Sequence, residues 1–473
     1  TNKKNKIEIN CKFVNLFDPN YSLVFDVLNF DVDSKEINKA FPNFFGTILP
    51  SSLRSFGRFK IDGLINVSPD DVKTKFNFQT EQGLLISDLN IYNFKNIDNA
   101  SYRGEIIGVD LDLSSFVNLN DIKKSDFNFK VEGQGFTKEY LNSSINGKIE
   151  NVELYDYKVE NIDLNGDVKD QIFDGNLIVN DKNITFLFNG LVDFSDDLVD
   201  FDFDLDLDKA DLNKINSQYN YSLSAFANVK LRGSKIEDLI GDLSITNLNY
   251  TNSNINTSFD KFDAQLRYNN DIRIVNLNSS DAISGIIIGE YDILNLKNIF
   301  LNSVGSHYSN YKLNKDIDFK NISFNINIKP KLASIIDNKL ELDQSTFLSG
   351  DFKSNGDYEI GVKSNYINYD DIRSENIDLK YSNNGGSLTV KKLKSSFIEG
   401  TELLINSNFV NDTLFVDSNY LTFSNNKNKL NFYHTINENN NSVFGFINLD
   451  LIFNKKDWSL EKNTKPKLIF DYN

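Results

Sequence analysis

The strongest constraint in this sequence is the strict alternation of apolar and acidic residues in LVDFDFDLDLDKADL, from Leu198 to Leu212. Successive side chains of a β-strand point to opposite faces, so this pattern gives one apolar face and one charged face. A helix would mix the two classes around its circumference. The segment is therefore predicted to be a strand. Its apolar side carries Phe201, Phe203, Leu205 and Leu207, and its charged side carries Asp200, Asp202, Asp204, Asp206 and Asp208.

The same alternation recurs along the chain, between clusters of Asn, Asp, Gly and Ser that are typical of turns. Further predicted strands are Val72–Thr80, Gly108–Phe116, Asp126–Gly135, Asn183–Gly190, Asn321–Lys329 and Asn428–Ile436. Helical patterns are few and short, and long amphipathic helices do not alternate with the strands, so a parallel α/β sheet is disfavoured. The candidate helices are Ser34–Phe41, Thr137–Ser143, Lys209–Gln218 and Ser234–Gly241.

A short internal echo indicates repetition. The segment Tyr157–Val179 resembles Ile372–Val390, because both contain ENIDL followed by a Gly-containing turn and a further strand, and Thr257–Leu277 is a weaker copy. No Pro-rich or Ser-rich linker divides the chain. We therefore expect one continuous repetitive segment over residues 1–473, in which each unit packs on its neighbours.

Composition excludes several classes of protein. A net charge of -17 and a sequence pI near 4.7 disfavour binding to nucleic acid or to anionic membranes through basic patches. The one cysteine, Cys11, rules out an intramolecular disulfide. The chain has no methionine and no signal-like apolar stretch at its start, and we interpret it as an internal piece of a longer protein.

The apolar faces of so many strands need a cover, which can be a second sheet, closure into a barrel, or bound lipid. The residues alone do not choose among these. Cores seldom grow beyond about 250 to 300 residues without splitting into domains, which favours an elongated, curled antiparallel sheet with a continuous hydrophobic groove. Roughly 30 to 40 strands at about 4.8 Å spacing would extend on the order of 150 Å. The predicted groove is lined by Phe76, Phe78, Leu111, Leu113, Phe127, Phe129, Phe186, Phe188, Phe201, Phe203, Leu205, Leu207, Phe324, Ile326, Ile328, Leu430 and Phe432.

Other candidate sites have simpler interpretations. Carboxylates two residues apart on one strand project in parallel about 6 to 7 Å apart, which disfavours a calcium array at Asp200–Asp208. The two histidines, His307 and His434, have no partners at metal-ligand spacing and are expected to be strand residues. Cys11 is interpreted as a structural thiol, and Trp458 is expected to pack on the sheet. No catalytic motif is present, so neither an enzyme nor a cofactor is predicted.

The order of the strand patterns resembles that of the TamB family (translocation and assembly module subunit, an AsmA-like lipid-transfer group) in its Bacteroidota form. The resemblance runs through LPSSLRSFGRFKIDGLINVSPDDVKTKFNFQTEQGLLISDLNI, YRGEIIGVDLDLSSF, FNFKVEGQGFT and DLDLDKADL, and continues in GGSLTVKKLKSSFIEGTELLINSNFVNDTLFVDSN. Together with the intervening segments it covers most of the chain. These are soft strand patterns, so the resemblance depends on their order.

The resemblance implies a long β-taco in the periplasm whose groove conducts phospholipids between the inner and outer membranes. It further implies an inner-membrane helix before this segment and, after it, a region that meets a BamA-type outer-membrane protein. Two alternatives remain open. One is a factor that assembles outer-membrane β-barrel proteins through exposed sheet edges, and the other is a surface-exposed β-rich adhesin or structural protein.

Overall fold

A computed structural model gives the fold of the chain. It describes residues 5–36 except 16, 57–112 except 97, residue 114, 122–291 except 138, 156 and 237, 295–312, and 319–470 except 397, 454–455 and 462–463. The chain divides into two compact units, residues 1–230 and 231–473. The expectation of one continuous segment stays a prediction.

The described residues of the first unit form mainly long strands. Its strands are β1 (Lys6–Val14), β2 (Ser22–Asp33), β3 (Arg58–Val67), β4 (Asp71–Thr80), β5 (Gly83–Tyr92), β6 (Ser101–Asp112), β7 (Ile122–Gln134), β8 (Asn142–Leu154), β9 (Tyr157–Lys169), β10 (Ile172–Asn180), β11 (Ile184–Asp193) and β12 (Val199–Asp211). Helix α1 (Leu212–Ile215) follows β12, and β13 (Tyr221–Gly233) contains the boundary between the units.

The second unit continues in the same way. Its elements are β14 (Ile240–Asn252), β15 (Asn256–Asn269), β16 (Ile272–Ser279), β17 (Ile283–Tyr291), α2 (Leu296–Gly305), β18 (Phe319–Ile328), α3 (Pro330–Ile336), β19 (Leu340–Leu342), β20 (Thr346–Lys353), β21 (Tyr358–Tyr369), β22 (Ile372–Ser382), β23 (Gly385–Lys394), β24 (Glu399–Val410), β25 (Thr413–Leu421), β26 (Lys427–Ile436), β27 (Ser442–Phe453), β28 (Lys456–Ser459) and β29 (Lys467–Phe470).

Strand pairing follows chain order in each unit. In the first unit each strand from β1 to β12 pairs antiparallel with the next. In the second unit the order runs from β14 to β18, then from β20 to β27, while β19 pairs with β21. Two-residue turns with left-handed residues, such as Asp170–Gln171 and Asn411–Asp412, join successive strands. The predicted all-β fold, an open antiparallel sheet with a few short helices, is confirmed.

The repeated ENIDL motif corresponds to a local distortion of the sheet. Asn161 and Asn376 occupy the same position in the two copies, and both adopt left-handed backbone conformations, with φ of 57° and 52°. Val159 and Ile162, which lie three residues apart, are both buried, at 3% and 5% exposure. A regular strand would place them on opposite faces, so the left-handed Asn161 between them allows one face to take both.

The helix expectations were mostly wrong. Thr137–Ser143 contains a turn and the start of β8, Ser234–Gly241 contains turns and the start of β14, and Lys209–Gln218 contributes only the four residues of α1. Ser34–Glu36 is helical, and the rest of that candidate lies outside the described residues. These helical patterns are too short to form stable helices alone, so pairing with the neighbouring strands decides the conformation of these segments. In the described part of the chain, none of the helices has the length and apolarity to cross a membrane.

The buried side chains form clusters along one side of the sheet. In the first unit, Val32, Phe59 and Phe78 make one cluster across β2, β3 and β4. A second cluster, Val152, Val159, Ile162 and Val179, joins β8, β9 and β10. Both clusters therefore consist of side chains from hydrogen-bonded neighbours on a single face.

Candidate lipid-binding face

In the first unit, residues opposite one another in successive strands form apolar rows across the sheet. We call the first of these the Phe78 row. Antiparallel partners share a face, so the whole row lies on one side of the sheet. The Phe78 row contains Ile7, Phe30, Ile61, Phe78, Leu85, Gly108, Phe127, Ile149, Ile162, Val179, Phe186 and Leu207.

A second row lies two residues along each strand, or three at the bulge in β2, on the same side, and we call it the Phe76 row. We call this side the apolar face of the first unit. The ring centroids of Phe188 and Phe203 are 4.9 Å apart and those of Phe127 and Phe129 are also 4.9 Å apart, so the rings pack together on this face. The Phe76 row contains Ile9, Val27, Gly63, Phe76, Ser87, Ile106, Phe129, Gly147, Leu164, Leu177, Phe188 and Leu205.

The apolar face holds every predicted groove residue of the first unit that the structure describes. Phe78, Leu111 and Phe127 are buried, and the remaining members are half-buried. Leu113 lies outside the described residues. The half-buried members are Phe76, Phe129, Phe186, Phe188, Phe201, Phe203, Leu205 and Leu207.

The second unit has two corresponding rows, the Phe324 row and the Ile326 row, which define its apolar face. The Phe324 row contains Gly241, Leu266, Val275, Ile287, Phe324, Gly350, Ile360, Tyr381, Gly386, Ser407, Val416, Phe432 and Phe446. The Ile326 row contains Leu243, Ala264, Leu277, Gly285, Ile326, Leu348, Val362, Leu379, Leu388, Ile405, Ser418, Leu430 and Leu449.

The predicted groove residues of the second unit also share one face. Phe324, Ile326 and Ile328 alternate along β18, and Leu430 and Phe432 belong to the same two rows on β26. All five are half-buried. Sequence reasoning therefore located residues of one face on strands that are distant along the chain.

The extensive contacts in the described residues join strands that are neighbours in the sheet, and α3 with β19. The hydrophobic clusters of the first unit likewise contain only neighbouring strands. Two packed sheets would instead bring side chains from opposite layers into one core. The burial within these two clusters thus comes from neighbouring side chains of the same face.

In the second unit, helix α2 and the following residues lie over part of the apolar face. Ile299 of α2 is 2% exposed and belongs to a cluster with Tyr291, Ile322, Phe352 and Tyr358. Apolar residues at helical spacing, Leu296, Ile299, Phe300 and Val304, were a signal for this helix that the sequence analysis missed.

Residues 306–311, which follow α2, form hydrogen bonds with residues far along the chain. We call α2 with residues 306–311 the strap. Tyr308 Oη lies 2.8 Å from His434 Nδ1, and the Ser309 hydroxyl donates a hydrogen bond of 2.5 Å to Asp412. The Asn310 side chain donates to the carbonyl oxygen of Ile436 at 2.9 Å. The strap therefore connects its own packing site on β17, β18, β20 and β21 with β26 and with the turn between β24 and β25.

Both histidines take part in the packing of the strap, and the expectation that both are strand residues is wrong for one of them. His434 is a strand residue in β26, whereas His307 lies in the loop after α2. The His307 ring centroid is 4.7 Å from that of Phe409 and 5.6 Å from that of Tyr358. Burial lowers the pKa of both histidines, because it disfavours the charged form.

The apolar face of the second unit is concave at this point. Tyr358 and Phe409 are on β21 and β24, three strand positions apart, which corresponds to about 14 Å in a flat sheet. One histidine ring nevertheless contacts both aromatic rings. Side chains converge in this way on the inside of a curved sheet.

The opposite face of the first unit is polar. Asn146, Asn165, Asn176 and Asn189 lie side by side on β8 to β11, and Asn189 pairs with Asp204 of the acidic stripe. Asp204 accepts a hydrogen bond of 2.7 Å from Asn228, and Asp202 is 3.4 Å from Lys230 Nζ. The alternation in Leu198–Leu212 thus separates a polar face from an apolar one.

The remaining candidate residues from the sequence analysis are the possible metal ligands, Cys11 and Trp458. No group of three or more His, Cys, Asp or Glu side chains that could hold a metal occurs among the described residues. Cys11 is free and exposed on β1, so it is not a buried structural thiol. Trp458 pairs with Leu451 through the backbone of β28, but its side chain is 54% exposed.

Comparisons with protein-family models, with curated proteins and with solved structures find no match for this chain. The resemblance to the TamB family therefore stays a prediction.

Proposed function

We propose that this chain is a periplasmic lipid-transfer conduit that moves phospholipids between the inner and outer membranes along the apolar faces of its sheet. One observation carries the proposal. The apolar rows run from strand to strand across each unit, most of their members are buried or half-buried, and the hydrophobic clusters of the first unit contain only neighbouring strands of the same face. The inner-membrane anchor and the BamA-type partner, both outside this segment, belong to the same proposal.

Such a face suits acyl chains. Removing apolar surface from water stabilises a complex by about 25 cal/mol per Å², or about 0.8 kcal/mol per buried CH₂ group. This term needs no polar recognition, so many lipids can share the face. The polar opposite face supports the proposal because charged side chains keep a long sheet soluble.

The test is lipid analysis of the purified chain by mass spectrometry, for the wild type and for Phe203→Asp. Phe203 is half-buried beside Phe188 on the apolar face. We expect phospholipid with the wild type, loss of that lipid in the variant, and a free energy of unfolding within about 1 kcal/mol of the wild type. Leu64→Asp is the matched control, since Leu64 is 51% exposed and pairs with Lys75 on the polar face, and it should retain lipid.

Two results would contradict the proposal. The first is a folded wild-type chain that carries no phospholipid. The second is a loss of several kcal/mol of stability in Phe203→Asp, which an unpaired charge in a sealed protein core would cause. Crosslinking from the sheet edges to unfolded outer-membrane proteins, with none to acyl chains, would favour the assembly-factor alternative.

A further inference from the structure

A buried arginine interrupts the apolar face of the second unit. Arg273 lies on β16, two residues before Val275 of the Phe324 row, and it pairs with Gly289 on β17. It therefore points to the same side as Val275 and Leu277, and it is 1% exposed. A cation at an apolar-face position needs a specific explanation.

Only some of the N–H donors of the Arg273 guanidinium group form hydrogen bonds. Nη2 donates to the carbonyl oxygen of Ile236 at 3.0 Å. Nε and Nη1 are buried and have no hydrogen-bond partner, and no carboxylate of the described residues forms an ion pair with this side chain. Arginine does not lose its proton in proteins, so the positive charge persists.

This arrangement is costly without a further group. An unpaired charge in a protein interior is destabilising by several kcal/mol, and each unmade hydrogen bond adds to that cost. Water could satisfy the two N–H groups but would not neutralise the charge. An oxyanion does both, because adjacent N–H groups of the planar guanidinium match phosphate and carboxylate oxygens.

Tyr291 supplies a second donor beside Arg273. It lies on β17, two residues beyond Gly289, the partner of Arg273. It is 8% exposed, and its buried hydroxyl has no hydrogen-bond partner among the described residues. Burial raises the pKa of Tyr291, and the charge of Arg273 acts on it in the opposite direction. The strand register thus makes Tyr291 a diagonal neighbour of Arg273.

The start of helix α2 adds a favourable field. Leu296, its first residue, packs against the cluster that contains Tyr291. The ten-residue helix has no acidic residue in its first turn. The positive end of its dipole favours a negative group near Leu296.

We propose that Arg273 and Tyr291 form a binding site for an oxyanion, of the phosphate type, on the apolar face of the second unit beside α2. Either a phospholipid headgroup or free inorganic phosphate can supply this chemistry. Only the phospholipid source rests on the proposed lipid-transfer function.

The experiment titrates the whole 473-residue chain with three probes. These are inorganic phosphate, dihexanoylphosphatidylglycerol below its micelle concentration, and dihexanoylglycerol, which has the same acyl chains and no phosphate. Binding is measured by calorimetry. We expect the phosphate-bearing lipid to bind the wild type about tenfold or more tightly than the neutral lipid, since hydrogen bonds to charged groups contribute about 1.5 to 3 kcal/mol.

Substitutions assign the effect to the site. Arg273→Met should abolish the preference for the phosphate-bearing lipid, and Arg273→Lys, which keeps the charge without the planar fork, should retain part of it. Arg267→Met is the matched control, because Arg267 on β15 is 47% exposed and is bound to Asp242 at 2.8 Å. Circular dichroism checks that each variant is folded. If Arg273→Met does not fold, the comparison of the wild type with Arg273→Lys is the test.

The outcomes separate the two proposals. Equal binding of both lipids to the wild type, or a preference that survives in Arg273→Met, overturns the oxyanion site and leaves lipid transfer standing. Arg273-dependent binding of inorganic phosphate, without binding of either lipid, supports the site and counts against lipid transfer. Absence of binding by all three probes overturns the oxyanion site and counts against lipid transfer.

Discussion

At the scale of single residues, buried or half-buried aspartates accept hydrogen bonds from backbone N–H groups that have no partner strand at distorted positions of the sheet. Asp181, which is 4% exposed, accepts hydrogen bonds from the backbone of Asn183 at 2.8 Å and of Glu160 at 3.3 Å, and from the Tyr157 hydroxyl. Asp281 receives the backbone N–H of Asp260 at 3.1 Å in the same manner. Each carboxylate thereby stabilises a distorted part of the sheet.

The Asp181 carboxylate makes a testable contribution to stability. Burial opposes its ionisation, but the hydrogen bonds from Tyr157, Asn183 and Glu160 outweigh burial and lower its pKa. We expect Asp181→Asn to lower the free energy of unfolding by about 1 to 3 kcal/mol at pH 7, measured by urea denaturation. Asp88→Asn is the control, because Asp88 is 54% exposed in its pair with Lys75, and it should cost less than about 1 kcal/mol.

The pH dependence of that difference follows from the direction of the shift. A carboxylate with a lowered pKa in the folded state contributes its stability above the unfolded pKa of about 3.9, and loses it as the pH falls through the folded pKa. The gap between the wild type and Asp181→Asn should therefore be constant from pH 7 to about pH 5 and shrink below about pH 4. A gap that widens in acid would contradict this account.

At the scale of elements, the ENIDL echo encodes a left-handed residue within a strand. Asn tolerates this conformation, whereas a β-branched residue does not. We expect Asn376→Val to destabilise the chain by about 1 to 2 kcal/mol and Asn376→Gly to change stability by less than about 0.5 kcal/mol. Thermal unfolding measures both, and Asn406→Val on the polar side of β24 is the control. Equal effects of Val at positions 376 and 406 would disprove this explanation of the repeat.

Ile299 is a buried side chain that anchors helix α2 of the strap on the sheet. Ile299 is 2% exposed, and truncation to alanine should cost about 2 to 4 kcal/mol, through lost contacts and the cavity left behind. Leu301 on the same helix is 40% exposed, so Leu301→Ala should change stability by about 0.5 kcal/mol or less. Hydrogen exchange of residues 296–311 should accelerate only in Ile299→Ala. Similar exchange in both variants would show that this contact does not hold the strap.

At the scale of the whole molecule, we expect the acidic charge to oppose association through the partly exposed apolar faces. The net charge of -17 at pH 7 disappears near the sequence pI of 4.7. Light scattering should therefore rise as the pH is lowered from 7 towards 4.7, because loss of repulsion permits contact between apolar faces. High salt at pH 7 is the comparison and should raise scattering in the same direction. Scattering that is insensitive to both treatments would contradict this role of the acidic residues.

Much of the fold and of the candidate face was predictable from local pattern. Strand alternation assigned Phe186 and Phe188 to the same side as Leu205 and Leu207 before any pairing was known, and β11 and β12 pair these residues directly. The unusual position of Arg273 could also have been noticed in the sequence. In IRIVNLN it alternates with Val275 and Leu277, so it lies on the apolar side of the strand. The helices were harder to predict, because four to ten residues carry little intrinsic helical stability.

The sequence by itself determined which residues face together, because side-chain direction in a strand has a period of two and needs no information from elsewhere in the chain. It also determined the acidic character of the molecule. Only the tertiary structure decided that residues 306–311 reach β26, that Tyr308 contacts His434, and that Arg273 is buried without a carboxylate partner among the described residues. These features depend on contacts between residues far apart along the chain, which sheet curvature and helix packing bring together and which no local periodicity records.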